Sequence, residues 1–236
     1  MRGNTCDLLR VPVESRSDLR PSFAQQGEDR IIEEILKRKL KLPPEYKSTY
    51  VDVGAYDPFI HSVTYLLYLR GWSGIVFDPS SATIFEFGRK RPNDIAVECL
   101  IGEVASKNTS YFLPKHKVGS RAFTGTRFPG EKLSELAQVF AEQKNLSDEL
   151  IYRGVTDIDI MNLDIEGAEL ETLASFDFDR LSVKLILVEI HGATIEDCAQ
   201  KPVWKLLQEK GYVAISSALV THFFLRQDFL PQNTDN

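Results

Sequence analysis

The stretch DIEGAELETL carries the densest chemistry in the chain: Asp164, Glu166 and Glu169 place three acids within six residues, with Gly167 at the turn among them. Carboxylates that close repel one another unless they serve a helix N-terminus or a cation. Glu169 and Glu166 suit the first turn of a helix, where they complement its dipole. Asp164 is left at the tip of the run DIDIMNL, facing a cleft, as a candidate catalytic group. Further on, LILVEIHG ends in Glu189 and His191, two residues apart and so on one side if the strand continues. Histidine is the usual general base near neutral pH, although a lone histidine is more often structural. His191, Asp164 and Glu189 together make an acid–base group. The same three offer oxygen and imidazole ligands that suit Mg or Mn; no metal is assigned on that basis.

A second set begins at DVGAYDP, with Asp52, Gly54 and Tyr56. A glycine directly after a strand lets backbone approach a ligand without a Cβ in the way. Tyr56 and Pro58 stand where a dinucleotide fingerprint would have further glycines, which disfavours NAD and FAD. Asp78 follows Gly54 by 24 residues, the position from which an acid accepts ribose hydroxyls. A glycine turn and a ribose acid with no phosphate cradle suit a nucleoside without phosphates, and S-adenosylmethionine is the common one. Taken singly, Gly54 could be a plain turn and Asp78 a helix N-cap; their spacing within one βαβ unit counts against both. The segment PKHKVGSRAFTGTRFPGEK is basic inside an acidic protein. Its default reading is a solvated loop. Its functional reading is a lid in which Arg121 and Arg127 hold an acidic substrate by bidentate contacts.

The elements that must position these residues follow from periodicity. GEDRIIEEILKRKL sets Ile31, Ile32, Ile35, Leu36 and Leu40 on one helical face, and Pro43 and Pro44 stop it. TYVDVGA and GIVFD read as strands around a helix, HSVTYLLYLR, with Ser62 as its cap; SATIFEFGRKRP is a second helix and IAVECLIG a third strand. SYFLP reads as an extra strand, and SELAQVFAEQ followed by DELIYR as helix. DIDIMNLDI, VKLILVEI and the final pair YVAISSAL and THFFLRQDF are strands, with GAELETLAS and PVWKLLQEK as helices between them. The pattern predicts an α/β sheet with an antiparallel edge. Five consecutive strands then end in acids or glycines, as a site collecting polar groups along one rim would require. The expected organisation is an N-terminal arm over 1–22 and one domain over 23–236, with 106–155 as a substrate or lid insertion.

Composition narrows the function classes. The 236 residues are 43% apolar and 26% charged, an ordinary globular balance that can bury a core without metals or disulfides. The net charge of −6 argues against a nucleic-acid surface. No apolar run approaches the ~20 residues that span a bilayer, and no membrane partner is expected. Cys6, Cys99 and Cys198 are sparse and lack metal spacing, which favours a reducing, cytoplasmic setting.

Four blocks then combine into a likeness. AQQGED, YVDVGAYDPFIHSVTYLLYLRGWSGIVFDPS, DIMNLDIEGAELETL and LILVEIHG, in that order, resemble the FkbM-type methyltransferases over about residues 23–229. The resemblance implies a Rossmann-like, seven-stranded, mostly parallel sheet with an antiparallel last strand and helices on both faces. It implies methyl transfer from S-adenosylmethionine, most often to oxygen on a natural product, peptide or sugar. By position it sets Asp52 and Gly54 at the methionine end of the cofactor, Asp78 at the ribose, Ile101 near the adenine and Asp164 near the sulfonium. Tyr56 is read as a further cofactor-binding residue, although Tyr56 and Pro58 stand where the family pattern has Asn and a second Gly. Gln26 and Glu28 would fold over the cofactor, unless Glu28 serves only the helix start. The expected function is O-methylation of a hydroxyl, with His191 as base, or of a carboxylate positioned by Arg121 or Arg127. The alternatives are a non-catalytic nucleoside-binding module and a Rossmann-like enzyme with another cofactor.

Overall fold

The computed structural model describes residues 19–114 and 136–230. Five strands form the parallel body of the main sheet: β1 (Thr49–Val53), β2 (Ser73–Asp78), β3 (Ile95–Glu98), β7 (Asp157–Leu163) and β8 (Ser182–Glu189). The last two strands, β9 (Tyr212–Ala218) and β10 (Thr221–Arg226), are the expected pair, and β10 runs antiparallel to both β8 and β9. The order across the sheet is β3-β2-β1-β7-β8-β10-β9. The chain therefore winds outward from β1 to β3, returns, and winds the other way from β7. The seam between β1 and β7 is the switch point at which such sheets bind ligands.

Strand alternation divides the core. Val51 and Val53 enter one apolar cluster with Ile186 and Val188, while Tyr50 enters the other with Leu185 and Leu187. The second cluster is covered by α1 (Glu28–Arg38), α2 (Tyr65–Leu69) and α3 (Ser81–Lys90) through Ile32, Leu67 and Phe87. The first is covered by α4 (Leu146–Tyr152), α5 (Glu169–Ala174), α6 (Ile195–Ala199) and α7 (Pro202–Glu209), through side chains such as Leu150, Leu173 and Trp204. Helices thus lie on both faces, each with an apolar stripe turned inward. Among the described residues, no helix is long and apolar enough to cross a membrane.

Three local expectations are corrected. The third strand breaks at Cys99, whose N–H turns back to the Asp78 carbonyl. The next two residues, β4 (Leu100–Ile101), join a separate three-stranded sheet instead. That sheet is completed by β5 (Ser106–Pro114) and β6 (Leu136–Lys144). Most of SELAQVFAEQ is therefore strand, not helix. Its Gln138, Phe140 and Glu142 face solvent while Ala137, Val139 and Ala141 are half-buried, a period of two realised by antiparallel pairing with β5. Finally, Ser62 does not cap α2: Thr64 precedes that helix, and Ser62 is buried as a partner of Arg91. Within the 106–155 segment, Leu146 and Leu150 lie in the main core.

Candidate functional site

Three cavities run along the carboxyl ends of β1, β2, β7 and β8. The first is a narrow cleft whose walls are apolar, with Val53, Phe77, Leu100, Ile101 and Ile165, and whose polar groups include Gly54, Tyr56, Asp78 and Asp164. The second is a narrow inner pocket that includes Gln26, Glu28, His61, Asn162, Asp164 and Glu189. The third is a more open groove that includes Glu166, Leu170, Glu189, His191 and Lys201. Asp164 lines the first two cavities and Glu189 the last two, so these two carboxylates stand at the junctions.

The floor of the cleft is made by the turn after β1. Gly54 has φ +83°, and its N–H bonds to the Phe77 carbonyl. A Cβ at this position would overlap the backbone carbonyl of Asp164, so the seam closes only around glycine. Tyr56 follows at φ 56° and donates its N–H to Asp78 Oδ2 (3.1 Å). Asp78 Oδ1 accepts the Ser80 N–H (2.8 Å). Burial pushes the Asp78 carboxyl up to about 6, against the pull of the Ser80 and Tyr56 hydrogen bonds. Ser80, not Asp78, caps α3, by accepting the Thr83 N–H. The bland account of Asp78 as a helix cap therefore fails.

Asp52 is placed differently from the sequence expectation. It is buried on the face of β1 opposite Val53 and lines none of the three cavities. Its carboxylate accepts Thr64 Oγ1 (2.7 Å) and Asn162 Nδ2 (2.9 Å). Burial raises its pKa, opposed by those two bonds. Asp52 thus ties β1 to β7 beneath the site.

The turn after β7 is shaped by Glu169, which reaches back to accept the N–H groups of Ile165 (3.1 Å) and Gly167 (2.9 Å). This leaves Glu166, at φ 54°, on the groove side. Glu28 and Asp29 begin α1 but do more than complement its dipole. Asp29 accepts Ser22 Oγ and the Phe23 N–H. Glu28 accepts the Gln26 N–H (2.7 Å) and Thr221 Oγ1 (3.2 Å), which pins the AQQGED segment over the inner pocket.

The catalytic set read from sequence is brought together in pairs. Asp164 and Glu189 share the inner pocket. Glu189 and His191 share the groove, with His191 Nε2 3.8 Å from Glu189 Oε1 and its side chain 71% exposed. Asp164 and His191 share none of these three cavities. One ligand atom each from Glu166, Glu189 and His191 lies within 4.8 Å of the others, so the described residues offer a cation Glu166 rather than Asp164. Arg121 and Arg127 lie outside the described residues. Two pocket residues lie outside the set that the sequence singles out: His61, which reads only as a helix start, and Asn162, whose polar side chain in an apolar strand is the visible signal.

A family model, the methyltransferase FkbM domain, matches residues 52–214. No curated protein matches the chain. Solved structures to which the chain is similar include a TehB-like SAM-dependent methyltransferase from Corynebacterium glutamicum (12% identity, 94% of this chain and 96% of that one, TM-score 0.42). They also include the delta-N METTL16 MTase domain (13%, 94% and 92%, TM-score 0.44). A third is the human methyltransferase 10 domain containing protein (13%, 94% and 93%, TM-score 0.42).

Proposed function

Because the chain belongs to the FkbM methyltransferase family and so uses S-adenosylmethionine, we propose that it methylates an oxygen of a small-molecule or peptide acceptor seated at the inner pocket and groove. The observation that carries this reading is the shared position of Asp164, which borders the apolar cleft on one side and the acid-lined pocket on the other.

The residues present fit the cofactor. Leu100, Ile101, Phe77 and Ile165 offer flat apolar walls for an adenine, and Asp78 retains free lone pairs beyond its two N–H donors to accept ribose hydroxyls. Gly54 leaves the backbone bare where a nucleoside would approach. Among the described residues, Gln26 Oε1 is buried without a hydrogen-bond partner and offers an acceptor to an ammonium group in the inner pocket. When bound, S-adenosylmethionine supplies a methyl group already activated by its sulfonium.

What the chain adds is alignment and proton handling. Holding acceptor and methyl carbon in line lowers the barrier by several kcal/mol in well-oriented systems. A hydroxyl acceptor must lose its proton, and His191 takes it, with Glu189 orienting the imidazole across the groove. Asp164 is the alternative acceptor of that proton. One observation favours a second base: His61, not His191, lines the inner pocket with Asp164 and Glu189. A carboxylate acceptor would need no base, and Arg121 or Arg127 would position it.

Two steps test the reading. Calorimetry should show S-adenosylhomocysteine binding to the purified chain; absence of binding would favour a non-catalytic module. Labelled methyl transfer into small-molecule extracts should then yield products that survive mild base. A base-labile label would mean a methyl ester and hence a carboxylate acceptor.

A further inference from the structure

Beneath the turn after β1 lies a fully buried arginine that the methyl-transfer chemistry does not itself require. Arg91 follows α3 and is 0% exposed. Its Nε donates to Asp94 Oδ2 (2.7 Å). Nη1 donates to the Pro58 carbonyl (3.3 Å) and Ser62 Oγ (3.1 Å). Nη2 donates to Tyr50 OH (2.7 Å) and Thr64 Oγ1 (3.0 Å). The rings of Phe87 and Tyr68 pack against the guanidinium, 4.9 and 5.1 Å from its carbon.

The partners fall into two groups. Asp94 and Tyr50 belong to the rigid sheet side: Asp94 also accepts Tyr50 OH (2.6 Å) and the Gly74 N–H (2.9 Å). Pro58, Ser62 and Thr64 belong to the loop that joins β1 to α2. That loop carries Gly54 and Tyr56 into the cleft and His61 into the inner pocket. Two of the loop anchors, Pro58 and Ser62, bracket His61, which is held at φ 57°. A non-glycine residue there persists only when its surroundings over-determine it. Thr64 extends the network to Asp52 and Asn162, two residues before Asp164. Buried ion pairs contribute little net stability compared with well-packed apolar groups. A five-donor planar fork does what an apolar side chain or a single ammonium does not: it holds several loop oxygens at once in fixed geometry.

We propose that Arg91 is a positioning residue for methyl transfer, fixing the 54–64 loop so that Tyr56 and His61 stand in register with Asp164. Its link to catalysis rests on the reading that this loop holds the methyl donor.

The test uses Arg91→Lys, which keeps the charge beside Asp94 but loses the fork, and Ser62→Ala, which leaves the Arg91–Asp94 pair intact. Amide hydrogen exchange within 54–64 should accelerate about fivefold or more in each variant, the weight of one hydrogen bond, while amides of β7 and β8 stay protected. S-adenosylhomocysteine should bind about fivefold or more weakly, and KM for S-adenosylmethionine should rise with it. Lysine should not rescue, because charge alone is not the function. Unchanged loop exchange in both variants, or exchange rising equally across the sheet, would overturn the proposal. If Arg91→Lys does not fold, Ser62→Ala decides alone. If the unaltered chain binds no S-adenosylhomocysteine, the donor-site reading fails, while the exchange pattern still judges Arg91.

Discussion

Gly54 and Asp164 meet backbone to backbone across the seam between β1 and β7. The position where a Gly54 Cβ would stand is filled by the Asp164 carbonyl, and the Asp164 N–H bonds to the Val53 carbonyl (3.0 Å). The turn that opens the cleft and the turn that presents the candidate catalytic carboxylate are therefore one packed unit.

Gly54→Ala should break that unit. The left-handed φ of +83° costs alanine of order 1 kcal/mol, and the overlap with backbone must push β1 and β7 apart. The expected result is a lower Tm and loss of S-adenosylhomocysteine binding in calorimetry. Wild-type affinity in the alanine variant would show that the seam does not shape the cleft.

Asp78 should give cofactor binding a pH dependence. Its folded pKa of about 6 lies above the ordinary 3.8 because burial disfavours the charge. The folded chain thus holds this proton more tightly than the unfolded one. The group's contribution to stability rises as pH falls from above 6 toward 4 and is lost as pH rises through about 6. Cofactor affinity should move the opposite way, weakening below about pH 6 as the ribose acceptor is protonated. Asp78→Ala should weaken S-adenosylhomocysteine binding by roughly tenfold or more and abolish this acid limb. Affinity in the native chain that is flat from pH 8 to 5 would refute the ribose role.

His191→Ala should cut turnover on a hydroxyl acceptor by roughly 10²-fold or more while leaving S-adenosylhomocysteine binding intact. His61→Ala made alongside separates the two candidate bases. Undiminished turnover in His191→Ala with a large loss in His61→Ala would move the base from the groove to the inner pocket.

Asp94→Ala should be strongly destabilising. It leaves a fully buried guanidinium without its carboxylate, a change that typically costs about 3–5 kcal/mol. Denaturant unfolding measures it directly. A cost within about 0.5 kcal/mol, as for an ordinary surface substitution, would mean that Arg91 reaches water in solution.

The legible parts were those whose evidence is local. Gly54, Asp78 and the DIEGAELETL turn announce themselves by residue type and spacing within short segments, and each lies at a strand end facing a cavity. SELAQVFAEQ misled because its apolar positions satisfy a helical stripe and a strand alternation alike; pairing with β5 chose between them. Ser62 looked like a helix cap because serine before a helix usually is one, and only the buried guanidinium beside it shows otherwise. Asp52 looked like a cofactor ligand by its place before Gly54, yet strand alternation turns it to the opposite face from Val53.

By itself, the sequence determined the α/β class, most of the strands and the acids and glycines at their tips, because helix and strand periods and turn chemistry are written within a few residues. The family is legible only through the likeness of the four blocks. Only the tertiary structure decided which of those groups share a cavity. Glu28, His61, Asp164 and Glu189 converge because the sheet order sets β1 against β7 and β8 against β10. No spacing along the chain encodes that order. The convergence exists only once the apolar faces of both helix layers have closed on the sheet.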